Sequence, residues 1–105
     1  MEFATETRAT RYLMEAPSMY RVEGDKTWHR GRTVNISESG VLLQAASPLA
    51  LHTRLEMTFQ VSEPIGTFQV GQVACIGEVV RQAQPTEASP FPVAAKWVEF
   101  SDRPR

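Results

Sequence analysis

The sequence predicts an all-β fold, either a barrel or a sandwich, because apolar residues alternate with polar ones and turn-forming residues recur at short intervals. The clearest alternation runs through residues 55–61, where apolar and polar side chains fall on opposite faces of an extended chain. Glycine, proline and serine interrupt the apolar segments, most clearly at 47–48, 62–66 and 84–92. After Tyr12, apolar residues nowhere follow the spacing of a helix over a helical length. Short strands separated by turns are typical of sandwiches and barrels, and about six or seven strands fit this chain.

The candidate strands are rich in β-branched and aromatic residues. In chain order they cover residues 20–22, 28–36, 41–43, 55–61, 68–73, 76–81 and 93–100. A cluster of turn-forming residues at 23–26 joins the first two strands as a hairpin. Residues 1–12 carry no period-two pattern, which predicts an exposed N-terminal arm, with a helix as the alternative. We therefore divide the chain into an arm at 1–12, a β domain at 13–101 and a tail at 102–105.

Length and charge restrict the classes of partner. A chain of 105 residues is the size of one small domain with one modest core. The formal net charge is -1, and the basic residues are dispersed among acidic ones. A nucleic-acid polymer requires a clustered basic face, so we expect no such partner. A small ligand with two phosphates needs only a pair of well-placed arginines, so the charge pattern does not exclude a nucleotide.

Cysteine content and hydropathy indicate the compartment. Cys75 is the only cysteine, which excludes an intramolecular disulfide, and its apolar neighbours predict a small buried side chain. The first residues are polar, with no apolar segment of the kind found in a signal peptide, and no segment reaches transmembrane length. We therefore expect a cytoplasmic protein that is not inserted in a membrane.

No motif of a known catalytic or metal site stands out. The chain has no GxSxG elbow, no Walker glycine loop and no zinc-ligand spacing, and His29 and His52 lie far apart without nearby ligand clusters. We expect no enzyme activity, no catalytic residues, no metal and no cofactor. Trp28, Trp97 and Phe100 each lie in a candidate strand with aliphatic neighbours, which favours a place in the core or at its rim.

The most informative segment is residues 33–43, where a polar turn ending in Gly40 joins two apolar strands. In an extended chain, Asn35 and Ser37 point to the same face, and Gly40 permits a positive φ or a close backbone approach. Asparagine can bind a base edge and serine can bind a phosphate or a base, so the turn is a candidate nucleotide site. The alternative is an ordinary hairpin turn, in which Asn, Ser and Gly are all favoured for local reasons.

At these residues the sequence resembles the PilZ family, whose signature is RxxxR on an N-terminal arm followed by [D/N]xSxxG. Residues 35–40, NISESG, match the second motif at each specified position. The surrounding tracts also look like family strands in family order, and they lie at residues 31–43, 47–49, 77–81 and 93–100. The resemblance covers roughly residues 8–100. It implies a PilZ-like antiparallel β-barrel of about six strands with a flexible N-terminal arm.

The resemblance also implies a ligand, cyclic di-GMP, and a role as a receptor or regulatory module in bacterial second-messenger signalling. In the family, arm arginines grip phosphates and stack on guanines, which indicates Arg8 and Arg11 here. The turn contacts base and backbone, which indicates Asn35, Ser37 and Gly40. A guanidinium suits both tasks because it is planar, permanently charged and able to form two parallel hydrogen bonds.

One position departs from the family pattern. Arg11 has the expected distance before the turn for the second arginine of RxxxR, but Thr7 occupies the position of the first. Arg8 is one residue nearer, which makes the arm motif RxxR. The alternative function is therefore a degenerate PilZ-like domain that binds no nucleotide and acts as a protein-interaction adaptor in motility, pilus or envelope regulation. The protein partner is not indicated by the sequence.

Overall fold

The structure is a computed structural model that describes residues 10–66 and 68–101, except for the side chains of the last two of these residues. It contains six strands, namely β1 (Tyr12–Val22), β2 (His29–Ile36), β3 (Gly40–Gln44), β4 (Arg54–Val61), β5 (Gly71–Gln82) and β6 (Pro92–Ser101). Most of the predicted arm, including Arg8, and the predicted tail at 102–105 lie outside the described residues.

The strands form a closed antiparallel barrel in the order β1-β2-β3-β6-β5-β4. The predicted all-β barrel of about six strands is confirmed. Four of the pairings join consecutive strands, as in simple hairpins. The other two, β3 with β6 and β1 with β4, join strands that are distant in sequence and so close the barrel. Pairing of β3 with β6 brings the start of β3 beside the C-terminal strand, which determines the surroundings of the candidate turn.

The inward-facing residues form one apolar core. Strand β4 shows the predicted alternation, since Leu55, Met57, Phe59 and Val61 are all buried whereas the residues between them are not. Cys75 faces the same interior and is 7% exposed, which confirms its prediction as a small buried side chain. Burial raises the pKa of its thiol to about 12, so the thiol is protonated and unreactive in the folded protein.

The prediction of two separate strands at 68–73 and 76–81 is wrong. Residues from Gly71 to Gln82 form the single strand β5, and Phe68 instead makes an isolated bridge with Ile65. The small residues Ala74 and Cys75 form no turn, because both continue the register of β5 with β4. The local composition of this segment does not distinguish one continuous strand from two, and the long-range pairing with β4 produces one.

Strand β1 is longer than the predicted segment at 20–22. It begins at Tyr12, the last residue that the sequence assigned to the arm. A β-bulge between Leu13 and Ala16 interrupts the alternation, and this irregularity hides the strand in the sequence. The hydroxyl of Thr33 stabilises the bulge by donating to the carbonyl of Met14 at 2.8 Å and, as an alternative, to that of Ala16 at 3.2 Å.

Of the aromatic residues predicted to lie in the core or at its rim, one is confirmed and one is not. Trp97 is half-buried and its ring stacks on Phe59 with 6.3 Å between centroids, which confirms a place at the rim of the core. Trp28 lies outside the core and is 37% exposed, so its prediction is wrong. It is covered instead by the guanidinium of Arg21, 4.7 Å from the ring centroid. The side chain of Phe100 lies outside the described part of the chain.

Among the described residues, none forms a helix that is both long and apolar enough to cross a membrane.

Candidate functional site

A β-bulge places Asn35 on the outer face of the barrel. Thr33 pairs with Leu43 while Asn35 pairs with Leu42, so Val34 is an extra residue on β2. Thr33 and Ile36 are both fully buried although they are three positions apart, which strict alternation does not permit. The bulge therefore resets the pleat, with Ile36 in the core and the half-buried Asn35 directed outward.

The turn between β2 and β3 is organised around the hydroxyl of Ser37. Its Oγ accepts hydrogen bonds from the backbone N–H groups of Ser39 and Gly40, each at 3.2 Å, and lies 3.0 Å from the Ser39 hydroxyl. The Ser37 N–H donates to the Gly40 carbonyl at 2.8 Å. Ser37 is only 5% exposed. Its side chain is thus engaged in holding the turn, as in other serine turns.

Trp97 of β6 fastens this turn to the barrel. Its indole Nε1 donates to the Ser37 carbonyl and its backbone N–H donates to the Ser39 carbonyl, both at 3.0 Å. These bonds satisfy two carbonyls of the turn that the hairpin itself leaves without a partner. Sequence reasoning placed Trp97 at the rim of the core but gave no signal for this role, because the contact depends on the pairing of β3 with β6.

Gly40 is required by a close approach between strands. It pairs with Lys96, and a Cβ atom at position 40 would lie 2.2 Å from the carbonyl oxygen of Ala95, far inside van der Waals contact. Gly40 is not among the described glycines with positive φ, which are Gly24, Gly66 and Gly71. Of the two reasons for glycine considered from the sequence, the structure supports the close approach, and the approaching group is the protein's own backbone.

Arg11, directly before β1, reaches the motif. Its Nη1 donates to Oδ1 of Asn35 at 3.0 Å, and this contact is exposed to solvent. Beside it lies a groove of about 140 Å³, here called the motif groove. Its lining includes Arg11, Ser37, Gly40 and Lys96, together with small apolar residues of β3, β5 and β6. The groove thus has two cationic side chains and no carboxylate in its lining.

A family model for the PilZ domain matches residues 5–103, which is nearly the whole chain. The chain belongs to the PilZ domain family. Comparisons with curated proteins and with solved structures returned no match. PilZ domains are binding and regulatory modules rather than enzymes, and the family is known for binding cyclic di-GMP.

In this PilZ domain, the predicted site residues gather at one place as far as the structure describes them. Arg11, Ser37 and Gly40 line the motif groove, and Asn35 joins them through its hydrogen bond to Arg11. Arg8 lies outside the described residues. Lys96 was not predicted as a site residue. It comes from β6, far along the chain, and only the β3 to β6 pairing brings it beside the motif.

The motif groove also differs in charge from three other grooves of the PilZ domain. One of these, near the start of β1, has the carboxylates Glu15 and Glu63 in its lining. A second is lined mainly by prolines and apolar residues, and a third contains Arg30 as its single charged group. Of the four, the motif groove has the lining most favourable to an anion.

The carboxylate nearest to the groove in strand register is occupied elsewhere. Glu78 of β5 pairs with Lys96 in register, but its Oε2 lies 3.2 Å from Nδ1 of His52. This hydrogen bond, together with the positive charges of Lys96 and Arg54, holds the pKa of Glu78 below its ordinary value. Glu78 is therefore an ionised residue beside the groove and not part of its lining.

Proposed function

We propose that this PilZ domain is a cyclic di-GMP receptor of bacterial second-messenger signalling that acts in the cytoplasm. The ligand is held between the arm residues Arg8 and Arg11 and the turn residues Asn35, Ser37 and Gly40. The observation that carries the proposal is the 3.0 Å contact between Arg11 and Asn35, which joins the arm to the turn at the motif groove.

The chemistry of this pair suits a guanine nucleotide. Arg11 is exposed, so a ligand can reach its guanidinium and replace Asn35 as its partner. A guanidinium forms paired hydrogen bonds with a phosphate and also stacks on a purine. Once released, the amide of Asn35 offers both a donor and an acceptor to a base edge. We therefore expect Arg11 and Asn35 to exchange their mutual hydrogen bond for bonds to the ligand.

The size of the groove sets how the ligand lies. At about 140 Å³ the motif groove is smaller than pockets that enclose a drug-sized ligand, which measure roughly 300 Å³ or more. It therefore accommodates a phosphate or one base, while the rest of the dinucleotide extends along the surface. We propose that the arm closes over this exposed part and that the changed surface is the signal to a partner.

Ser37 and Gly40 contribute differently from Asn35. The Ser37 hydroxyl is bonded within the turn, and Gly40 is needed for contact with β6. Both shape the backbone that the ligand meets. Substituting either residue would alter folding as well as binding, so Arg11 and Asn35 are the better positions for a test.

The test is calorimetric titration of the full chain with cyclic di-GMP, with GTP as a competing ligand class. We expect a dissociation constant in the micromolar range or tighter for the wild type. Arg11→Ala and Asn35→Ala should each weaken binding by tenfold or more, equivalent to about 1.4 kcal/mol. Arg32→Ala is the matched control, because Arg32 is exposed on β2 and does not line the motif groove.

Two outcomes would contradict the receptor proposal. The absence of any heat or thermal shift with the wild-type chain at high ligand concentration would end it. Equal binding by the full chain and by a chain shortened to begin at Leu13 would show that the arm takes no part.

A second candidate function, the protein-interaction adaptor, is favoured by two specific observations. Thr7 stands where the family has an arginine, and the contacts of Ser37 and Gly40 account for those residues without a ligand. The test is capture of the same partner with and without cyclic di-GMP, beside the titration. Ligand-independent capture together with no nucleotide binding would establish the adaptor, whereas capture that changes with ligand would favour the receptor.

A further inference from the structure

Lys96 and Arg11 flank the β2–β3 turn from opposite sides. In the barrel order, β1 lies on one side of the β2–β3 hairpin and β6 lies on the other. Arg11 directly precedes β1, and Lys96 belongs to β6 and pairs with Gly40 at the end of the turn. Both side chains line the motif groove. Two cations therefore stand across the groove from each other with the turn between them.

The strand partner of Lys96 leaves its side chain uncovered. Gly40, the partner of Lys96, adds only backbone atoms to the lining of the motif groove. Lys96 is exposed, and its flexible stem lets the ammonium move over the groove. A lysine in this register reaches a ligand that rests on the backbone of Gly40.

Lys96 forms no ion pair with its register partner on β5, although its charge acts on that residue from a longer distance. Its partner on β5, Glu78, is hydrogen-bonded to His52 at 3.2 Å. Among the residues that the structure describes, no carboxylate lies within ion-pair distance of the Lys96 ammonium. Within that part of the chain, Arg21 forms an ion pair with Glu56, and Glu78 has the imidazole of His52 as its hydrogen-bond partner.

We infer that Lys96 is a further ligand-binding residue, and that Arg11 and Lys96 contact the same phosphate of a dinucleotide, one from each side of the motif groove. The inference rests on the proposed receptor function and deepens it. It accounts for Thr7 in the arm, because the second cation comes from β6 instead of from the first arginine of the arm motif. A lysine acts as a point charge and requires less exact geometry than an arginine pair.

The experiment uses the second lysine of the chain as a matched control. The sequence contains two lysines, and Lys26 lies exposed in the β1–β2 turn, outside the lining of the motif groove. Cyclic di-GMP binding to the wild type, Lys96→Gln, Lys96→Arg and Lys26→Gln is measured by calorimetry at low and high salt. Thermal melting of each variant shows that it is folded.

We expect Lys96→Gln to weaken binding about tenfold at low salt, and Lys96→Arg and Lys26→Gln to stay within about threefold of the wild type. The difference between the wild type and Lys96→Gln should shrink as salt rises, because a charge contact at the surface is screened. A merely structural role for Lys96 would produce a loss that salt does not change.

The experiment separates a failure of the inference about Lys96 from a failure of the proposed receptor function. If the wild type binds and Lys96→Gln binds equally well, the inference about Lys96 is overturned while the receptor function stands. Equal weakening by Lys96→Gln and Lys26→Gln would reduce the effect to net charge and also overturn it. If the wild type does not bind cyclic di-GMP, the proposed function fails and the inference fails with it.

Discussion

The two turns at the ends of β2 both contain a glycine, and each needs it for a different physical reason. In the β1–β2 turn, Gly24 has a φ of 94°, and a Cβ there would meet nothing within 4 Å. In the β2–β3 turn, Gly40 has no positive φ, but a Cβ would collide with the carbonyl of Ala95. Gly24 is needed because of the local backbone conformation, and Gly40 is needed because a strand distant in sequence packs against it.

This difference extends to the residues around each glycine. Residues 23–28 of the first turn are all exposed, and the turn is held from outside by Arg21, which covers Trp28. In the second turn Ser37 is buried, and Trp97 donates one hydrogen bond to the carbonyl of Ser37 and one to that of Ser39. The first turn is a local connection that tolerates change, whereas the second is part of the packed barrel. The candidate binding site lies on the second.

The largest expected effect separates the two glycines. Gly40→Ala forces the backbone of β3 away from that of β6. Overpacking of this kind lowers the free energy of unfolding by about 3 kcal/mol or prevents folding. Gly24→Ala adds a methyl group in open space and costs only the strain of a left-handed residue, about 1 kcal/mol. The free energy of unfolding, measured by urea denaturation of the full chain, gives both values.

Equal destabilisation by the two substitutions would break the comparison, because it would mean that β3 and β6 separate readily at Gly40. If Gly40→Ala is unfolded, hydrogen exchange of the wild type measures instead how readily β3 and β6 separate at the turn. The Trp97 amide should then exchange as slowly as the most protected amides of the core.

A smaller effect is expected at the turn hydroxyls. Ser37→Ala removes the acceptor of two part-buried backbone N–H groups, and the loss of these hydrogen bonds costs about 1 kcal/mol. Thr27→Ala, in the exposed first turn, is the matched control and should change stability by less than about 0.5 kcal/mol. Thermal unfolding at a fixed pH measures both. A neutral Ser37→Ala would show that water replaces the hydroxyl and that the second turn is less closed than its contacts indicate.

The local features of this fold were predictable from the sequence. The alternation in β4 and the β2–β3 turn depend on residues close together in the chain, and both predictions named the right positions. Strand β1 was underestimated because its bulge disrupts the pattern and Pro17 argues against a strand. Pairing of β1 with β4 begins only at Ser18, so the sheet does not need an N–H from Pro17 on that side.

The non-local features of the site were not predictable. Trp97 and Lys96 meet the motif only because β3 pairs with β6, and a motif that spans six residues carries no information about that pairing. The proposed role of Arg11 came from the family resemblance, and that of Asn35 came from its amide chemistry together with the resemblance. The role of the Ser37 hydroxyl within the turn required the hydrogen-bond geometry.

The smallest expected effect concerns how each turn is held. Arg21 forms an ion pair with Glu56 at 2.8 Å while it covers Trp28, and both charged side chains are about one third exposed. Glu56→Gln should therefore destabilise the protein by only about 0.5 kcal/mol at low ionic strength, and the difference should vanish near 1 M salt. The loss in Ser37→Ala should be the same at both ionic strengths, since it involves hydrogen bonds between neutral groups. A salt-independent loss in Glu56→Gln would mean that the exposed turn is fixed by packing, and the contrast between the two turns would then rest on their glycines alone.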